Sequence, residues 1–225
     1  MRRSLLLFVV VSVAVLTFAV SPAITSEFHP QAEAKPADRI DLPAPSRTGG
    51  MTLAEALATR RSVRSFATTK LTPQELSQLL WAAQGITDDK GRRTAPSARA
   101  QYFLHLYLAA ADGFFEYIPV GHKLRRLSTK DLRTGLSSQA AVASAPAVFL
   151  ISGDYDRASK GGRETGLRWV HLEAGHAAQN LLLQATALHL GAVPVGGIQP
   201  EQVAQAASLP PSSTAIYLIP VGHAK

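Results

Sequence analysis

The stretch Leu172-Glu173-Ala174-Gly175-His176-Ala177-Ala178-Gln179-Asn180-Leu181-Leu182-Leu183 lies inside the longest helical pattern of the chain, residues 165–190. Leu and Ala recur there on several faces, and a helix that is apolar all round is buried, in a core or against a second subunit. Gly191 reads as its cap. Val193-Pro194-Val195-Gly196-Gly197 follows as a loop, then residues 200–208 as a short helix and residues 215–221 as a final strand. Upstream, residues 147–152 form a short apolar run that suits a core strand. Residues 129–143 look helical. Residues 114–119 and 122–127 suggest a hairpin, and residues 102–109 a buried strand. Residues 86–99 are polar and loop-like. Thr72-Pro73-Gln74-Glu75 supplies an N-cap, a proline at the first helical position and a carboxylate at the third. The helix it opens carries Leu76, Leu79, Leu80 and Ala83 on one side and ends at Gly85. Thr52 with Glu55 is a capping box for a helix that runs to about residue 60. Helices and strands interleave irregularly, so the class is mixed α and β in one domain.

Composition sets the outer limits. The chain has 225 residues, of which 46% are hydrophobic, enough for one compact core or at most two small ones. With no cysteine, disulfides, thiolate metal sites, iron–sulfur clusters and a cysteine nucleophile are excluded. Arg2 and Arg3 precede the almost unbroken apolar run Leu5 to Val20, and small residues follow at Ser21-Pro22-Ala23 and Ala32-Glu33-Ala34. That order describes a secretory signal. Residues 5–24 also match the roughly 20 residues of a membrane anchor. The expected division is therefore a signal peptide or N-terminal anchor over 1–24, a linker over 25–50 and a globular domain over 51–225. It implies export, with a membrane tether if the segment is not cleaved. The formal charge of +7 falls to +5 without Arg2 and Arg3. In a chain with no helix–turn–helix or zinc-finger pattern, that excess is weak evidence for nucleic acid.

Three segments could bind a ligand. Arg60-Arg61-Ser62-Val63-Arg64 places three guanidiniums and a hydroxyl just after a helix end, and guanidinium forks match phosphate oxygens. A solvated basic turn is the plainer reading of the same residues. Pro96, Ser97 and Ala98 form a loop of small side chains that admits a planar ligand close to the backbone. Gly196 and Gly197 expose backbone N–H groups with no side-chain shield. His171, Glu173 and His176 on the long helix lack the i, i+4 histidine pair of a zinc helix and read as packing or intersubunit residues. No Walker loop or nucleophile elbow is present.

Taken in order, these segments are similar to the nitroreductase-like flavoprotein family, and most of all to its SagB-type dehydrogenase branch. The matching text is Arg60-Arg61-Ser62-Val63-Arg64-Ser65-Phe66, the run Leu79 to Thr87, Ala95-Pro96-Ser97-Ala98, the run Leu172 to Leu181, the run Gly191 to Gly196, and Ile219-Pro220-Val221-Gly222. It covers about residues 51–223. The resemblance narrows the class to α+β and implies a three-layer α-β-α sandwich around a mostly antiparallel sheet, a homodimer with two interfacial sites, and bound FMN. It assigns Arg60, Arg61, Ser62 and Arg64 to the flavin phosphate, ribityl chain and pyrimidine edge. It assigns Pro96, Ser97 and Ala98 to the flavin of the other subunit. Pro194, Val195, Gly196 and Gly197 lie against the ring, with the Gly196 N–H towards N5, and Gln139 is an amide on the pyrimidine or ribityl side. The implied mechanism is ping-pong, with NAD(P)H reducing the flavin and a small organic acceptor, a nitro compound or quinone among them, following in the same place. No side-chain acid or base is required.

Several departures bear on this. His223 stands where family members often carry a phosphate-binding Arg after the last strand, with Lys225 two residues on. Lys160-Gly161 stands where the azole-forming oxidases carry Lys-Tyr. Phe103 replaces a second proline. Export also separates the protein from cytoplasmic nicotinamide cofactors and points to a quinol or redox-protein donor. The lost Tyr and Arg motivate the alternative of a non-catalytic flavin-binding or scaffold protein.

Overall fold

The computed structural model describes residues 38–225. Residues 1–24, read above as a signal peptide or anchor, and residues 25–37 lie outside the described residues. Strand β5 (Ala147–Asp154) is buried along nearly its whole length and is an interior strand of the sheet. It pairs with β2 (Leu104–Ala110) and β7 (Ser213–Gly222), which are flanked by β3 (Gly113–Ile118), β4 (Lys123–Ser128), β1 (Arg39–Asp41) and β6 (Gly191–Ala192). The order is β1-β4-β3-β2-β5-β7-β6, and each neighbouring pair is antiparallel. Side chains alternate between the two faces with period two. Leu106, Leu108, Phe149, Ile151, Ile219 and Val221 pack in a cluster with Leu79, Leu80, Ala174 and Leu181. These come from α2 (Pro73–Gln84) and α6 (Arg163–Ala187). Tyr107, Ala109, Val148, Leu150 and Leu218 pack in another with Leu136, Val142 and Val203. Those come from α3 (Arg133–Leu136), α4 (Ala140–Ser144) and α7 (Pro200–Ala207). The α+β three-layer architecture expected from the sequence is therefore present.

Both capping boxes form. Thr52 opens α1 (Leu53–Thr59), and at α2 the Thr72 N–H donates to Glu75 Oε2 (2.6 Å) while the Glu75 N–H donates to Thr72 Oγ1 (3.2 Å). Residues 129–143 are not one helix. Ser137 and Gln139 take extended backbone, which separates α3 from α4, and the serines at 137 and 138 offer little helix propensity to resist it. Gly191 does not cap α6. The helix ends at Ala187 with Leu188 as its C-cap, His189 takes the left-handed turn (φ 57°), and Gly191 belongs to β6. Nor is α6 buried all round, since Leu172 is 54% exposed. A five-residue helix, α5 (Tyr155–Ser159), was not marked by periodicity.

The sequence between 38 and 50 has no apolar period, yet it is not a free linker. Residues 39–41 pair with β4 as the edge strand β1. The Leu42 N–H then donates to His122 O (3.2 Å), the Ser77 hydroxyl donates to Pro43 O (2.5 Å), and the Ser46 N–H donates to Gln78 Oε1 (2.8 Å). The arm is held by backbone polar groups, which a hydrophobic pattern does not report. Its clasp is His122, which sits at φ 51° in the β3–β4 turn. Because Ser77 spends its proton on Pro43, its oxygen accepts from His122 Nε2 (2.7 Å), and Nδ1 accepts from the Tyr117 hydroxyl (2.9 Å). Burial holds His122 below the usual imidazole range, against a smaller upward pull from the Pro43 carbonyl.

The unfolded chain binds that proton more readily, so stability falls as pH drops below about 6.5, the ordinary histidine value. Urea midpoints measured between pH 7 and 5.5 are expected to decline, and His122→Asn, which tolerates the left-handed backbone, reduces the decline. Equal declines in both proteins would refute the clasp. A second prediction concerns Gly191, where a Cβ would lie 2.7 Å from Val63 Cγ1. Gly191→Ala is expected to cost about 1–3 kcal/mol through overpacking, read as a melting temperature lowered by roughly 2–4 °C per kcal/mol.

Candidate functional site

Beyond α1 the chain runs along the β6–β7 corner of the sheet. Ser62 forms a parallel bridge with Ala192, and the Val63 N–H donates to Ala192 O (3.0 Å). Phe66 bridges Ala224, the Ala67 N–H donates to His223 O (2.8 Å) and the Lys225 N–H donates to Ser65 O (3.3 Å). These bonds bring Arg60, Arg61, Ser62, Arg64 and His223 to the end of β7, beside the loop that leaves β6. Arg60 is half-buried, and Arg61, Ser62 and Arg64 are exposed. No carboxylate among the described residues pairs with any of the three arginines. Arg61 is partly engaged: its Nη1 donates to Ala58 O (3.0 Å) and Arg60 O (2.8 Å). It thereby serves the unsatisfied carbonyls at the end of α1, a helix with no basic residue in its own last turn. The His223 ring leans towards α2, with Nε2 3.8 Å from Glu75 Oε1.

Pro194, Val195, Gly196 and Gly197 form a loop held from both sides. Val195 and Leu218 exchange backbone hydrogen bonds (2.8 and 3.1 Å), and the Ile198 N–H turns back to Gly196 O (3.0 Å). Gln139 Nε2 donates to Gly197 O (3.1 Å). Gln139 is the N-cap of α4, and its side chain reaches the loop from across the corner. Gly196 and Gly197 are exposed, and among the described residues neither N–H has an acceptor. The corner therefore offers guanidiniums, a hydroxyl, an amide and two bare backbone donors.

Pro96, Ser97 and Ala98 lie in a second cluster. No hydrogen bond or ion pair among the described residues links residues 95–103 to residues 60–64. Ser97 instead meets α6: its hydroxyl donates to Glu173 Oε2 (2.6 Å), which also accepts from the Phe103 N–H (3.3 Å). Glu173 is 1% exposed, and burial raises its pKa against the pull of Ser97, Phe103, Arg93 and Arg157. Arg93 lies over the Tyr102 ring (4.5 Å) and donates to Gln84 Oε1 (2.9 Å). Neither Arg93, Tyr102 nor Gln84 stood out in the sequence. The available signal was Glu173 itself, a carboxylate embedded in an Ala-rich helix face, which needs buried partners. Of the remaining residues singled out earlier, the His171 ring meets the Tyr155 hydroxyl (2.6 Å), and His176 and Lys160 are exposed.

The chain is similar to known proteins along most of its length. The chain is 37% identical over 181 residues to a provisionally named nitroreductase of Methanocaldococcus jannaschii, covering 76% of this chain and 90% of that protein. The crystal structure of a provisionally named nitroreductase from Ralstonia eutropha superposes with a TM-score of 0.80 at 33% identity, covering 84% of this chain and 90% of the other. The NADPH:FMN oxidoreductase of Vibrio harveyi, solved with NAD+, shares the fold at a TM-score of 0.58 and 20% identity, covering 77% and 69% of the two chains. The Nitroreductase family profile matches residues 57–223. With the family profile matched over residues 57–223 and three quarters of its length aligned to a relative, this chain belongs to the Nitroreductase family of flavoprotein oxidoreductases.

Proposed function

We propose that the chain is an FMN-dependent oxidoreductase acting on a small organic molecule, a nitro compound, a quinone or a related acceptor, and that it is allied to the SagB-type dehydrogenases. The observation that carries this reading is the corner where Arg60, Arg61 and Arg64 lack a protein carboxylate beside two unshielded glycine N–H groups. Those groups fit FMN. Arg60 and Arg64 hold the phosphate with intact forks, while Arg61 divides its fork with the end of α1. Ser62 serves the ribityl side. Gln139 steadies the loop through Gly197 O, and Gly196 and Gly197 let a planar ring approach the backbone. FMN when bound supplies the two-electron redox centre, and the protein supplies position and electrostatics.

The working unit is a homodimer. Leu53 and Leu57 on α1 are 66% and 56% exposed, and Leu172 on α6 is also exposed. Apolar surface of that kind favours a second copy, and the separation of Ser97 from the arginine corner within one chain accords with the two halves of a site coming from two chains. The N-terminal apolar segment supports export, with or without a tether through residues 5–24. The electron donor is then NAD(P)H or, outside the cytoplasm, a quinol or redox protein.

Purified protein is expected to be yellow and to lose its flavin absorbance on anaerobic titration with one of these donors. Colourless protein that FMN cannot reconstitute overturns the reading. Arg60→Ala combined with Arg64→Ala removes two sets of charge-assisted hydrogen bonds worth about 1.5–3 kcal/mol each. FMN dissociation measured by fluorescence is expected to weaken by roughly 100-fold or more, and unchanged retention would show that the phosphate lies elsewhere.

A further inference from the structure

The cluster around Ser97 constrains more than position. A serine hydroxyl has one proton and two lone pairs. Here the proton goes to Glu173 Oε2 (2.6 Å), and one lone pair accepts from the Tyr102 N–H (2.8 Å). What remains for any ligand is a single lone pair. Oε2 already accepts from both Ser97 and Phe103, whereas Glu173 Oε1 is buried without a partner among the described residues. A proton taken up by this carboxyl therefore goes to Oε1, and Oε2 stays an acceptor in either state.

The turn is also fixed. Arg99, Ala100 and Tyr102 all take left-handed backbone, with φ of 53°, 53° and 50°. Non-glycine residues adopt that region at a cost and persist there where their surroundings over-determine it. The surroundings are the Tyr102 N–H to Ser97, the Gln101 N–H to Ala98 O (3.1 Å), Arg157 Nη2 to Tyr102 O (2.5 Å) and the Asp154 N–H to Phe103 O (3.0 Å).

We propose that Glu173 is a positioning residue that locks Ser97 as a hydrogen-bond acceptor towards the cofactor, so that the flavin group Ser97 meets is a donor: the ring imide N–H or a ribityl hydroxyl. The inference rests on the FMN reading above. The two halves of the site are then complementary in sign. Gly196 and Gly197 present N–H donors to acceptor atoms of the ring, and Ser97 presents an acceptor to a donor. A flavin turned over would set a carbonyl lone pair against the single free lone pair of Ser97.

The test is a double-mutant cycle on FMN binding to apo-protein, followed by flavin fluorescence, with melting temperatures and visible spectra recorded alongside. Ser97→Ala and Glu173→Leu, which leaves no acceptor for the Ser97 proton, are each expected to weaken FMN about tenfold. The double variant binds no more weakly than Ser97→Ala alone, because Glu173 acts through Ser97. For the same reason, Glu173→Leu shifts the flavin absorbance band in the presence of Ser97 and not in its absence. If Glu173→Leu does not fold, Glu173→Asp, one methylene shorter, takes its place in the cycle. Additive losses of binding mean that Glu173 is merely structural and overturn the proposal. FMN binding by the wild type with both single variants unaffected overturns the proposal alone. A wild type that takes up no FMN overturns the proposed function and this inference together.

Discussion

Val63 rests on the bare Cα of Gly191, and most of the candidate site depends on that contact. It lets the segment after α1 lie close enough to β6 for the Val63 N–H to reach Ala192 O. From there the chain is stitched to the end of β7 by the bonds between Ala67 and His223 and between Lys225 and Ser65. Gly222 repeats the device, since a Cβ on it would lie 2.6 Å from Pro146 Cδ. Two glycines on neighbouring strands thus make room for an irregular segment that carries three arginines. Without them the arginines would have no fixed address.

Electrostatics divides the molecule in a useful way. The corner formed by residues 60–64 and 194–197 is rich in donors and has no internal anion. The cluster beneath residues 93–103 buries a carboxylate among Arg93, Arg157, a serine and backbone N–H groups. An arginine-lined corner without a counter-charge is destabilised by self-repulsion until an anion arrives, whereas the Glu173 cluster is already satisfied on one oxygen. The first region keeps its donors unpaired, and the second uses its hydrogen bonds to hold a turn rigid.

Much of this was legible in the residues. The capping boxes at Thr52 and Thr72, the apolar run of β5 and the long α6 all follow from local patterns, and the structure reproduces them. The arginine segment and the glycine loop were visible as motifs, but their adjacency was not, because it depends on strand order and on a bridge between residues about 130 positions apart (Ser62 and Ala192). Residues 39–47 were illegible for a different reason. They dock through backbone carbonyls and amides to Ser77, Gln78 and His122, and no side-chain period encodes that. Gly191 was misjudged because a glycine after a helix ordinarily marks a left-handed cap. Here His189 takes that conformation, and the glycine is needed for close packing instead.

The sheet has a further property that follows from its two ends. A seven-stranded antiparallel sheet exposes two edges, and long flat edges invite other chains to pair with them. Here the outermost strands are three and two residues long. One lies in an arm clasped by His122, and its Asp41 is 3.7 Å from Lys123 of the strand beside it. The other is flanked by the arginine-bearing segment. The long hydrophobic strands β2, β5 and β7 are thereby kept interior, and both borders carry charge. The basic segment after α1 thus also stands guard at the sheet's margin, so its composition answers to colloidal behaviour as well as to chemistry.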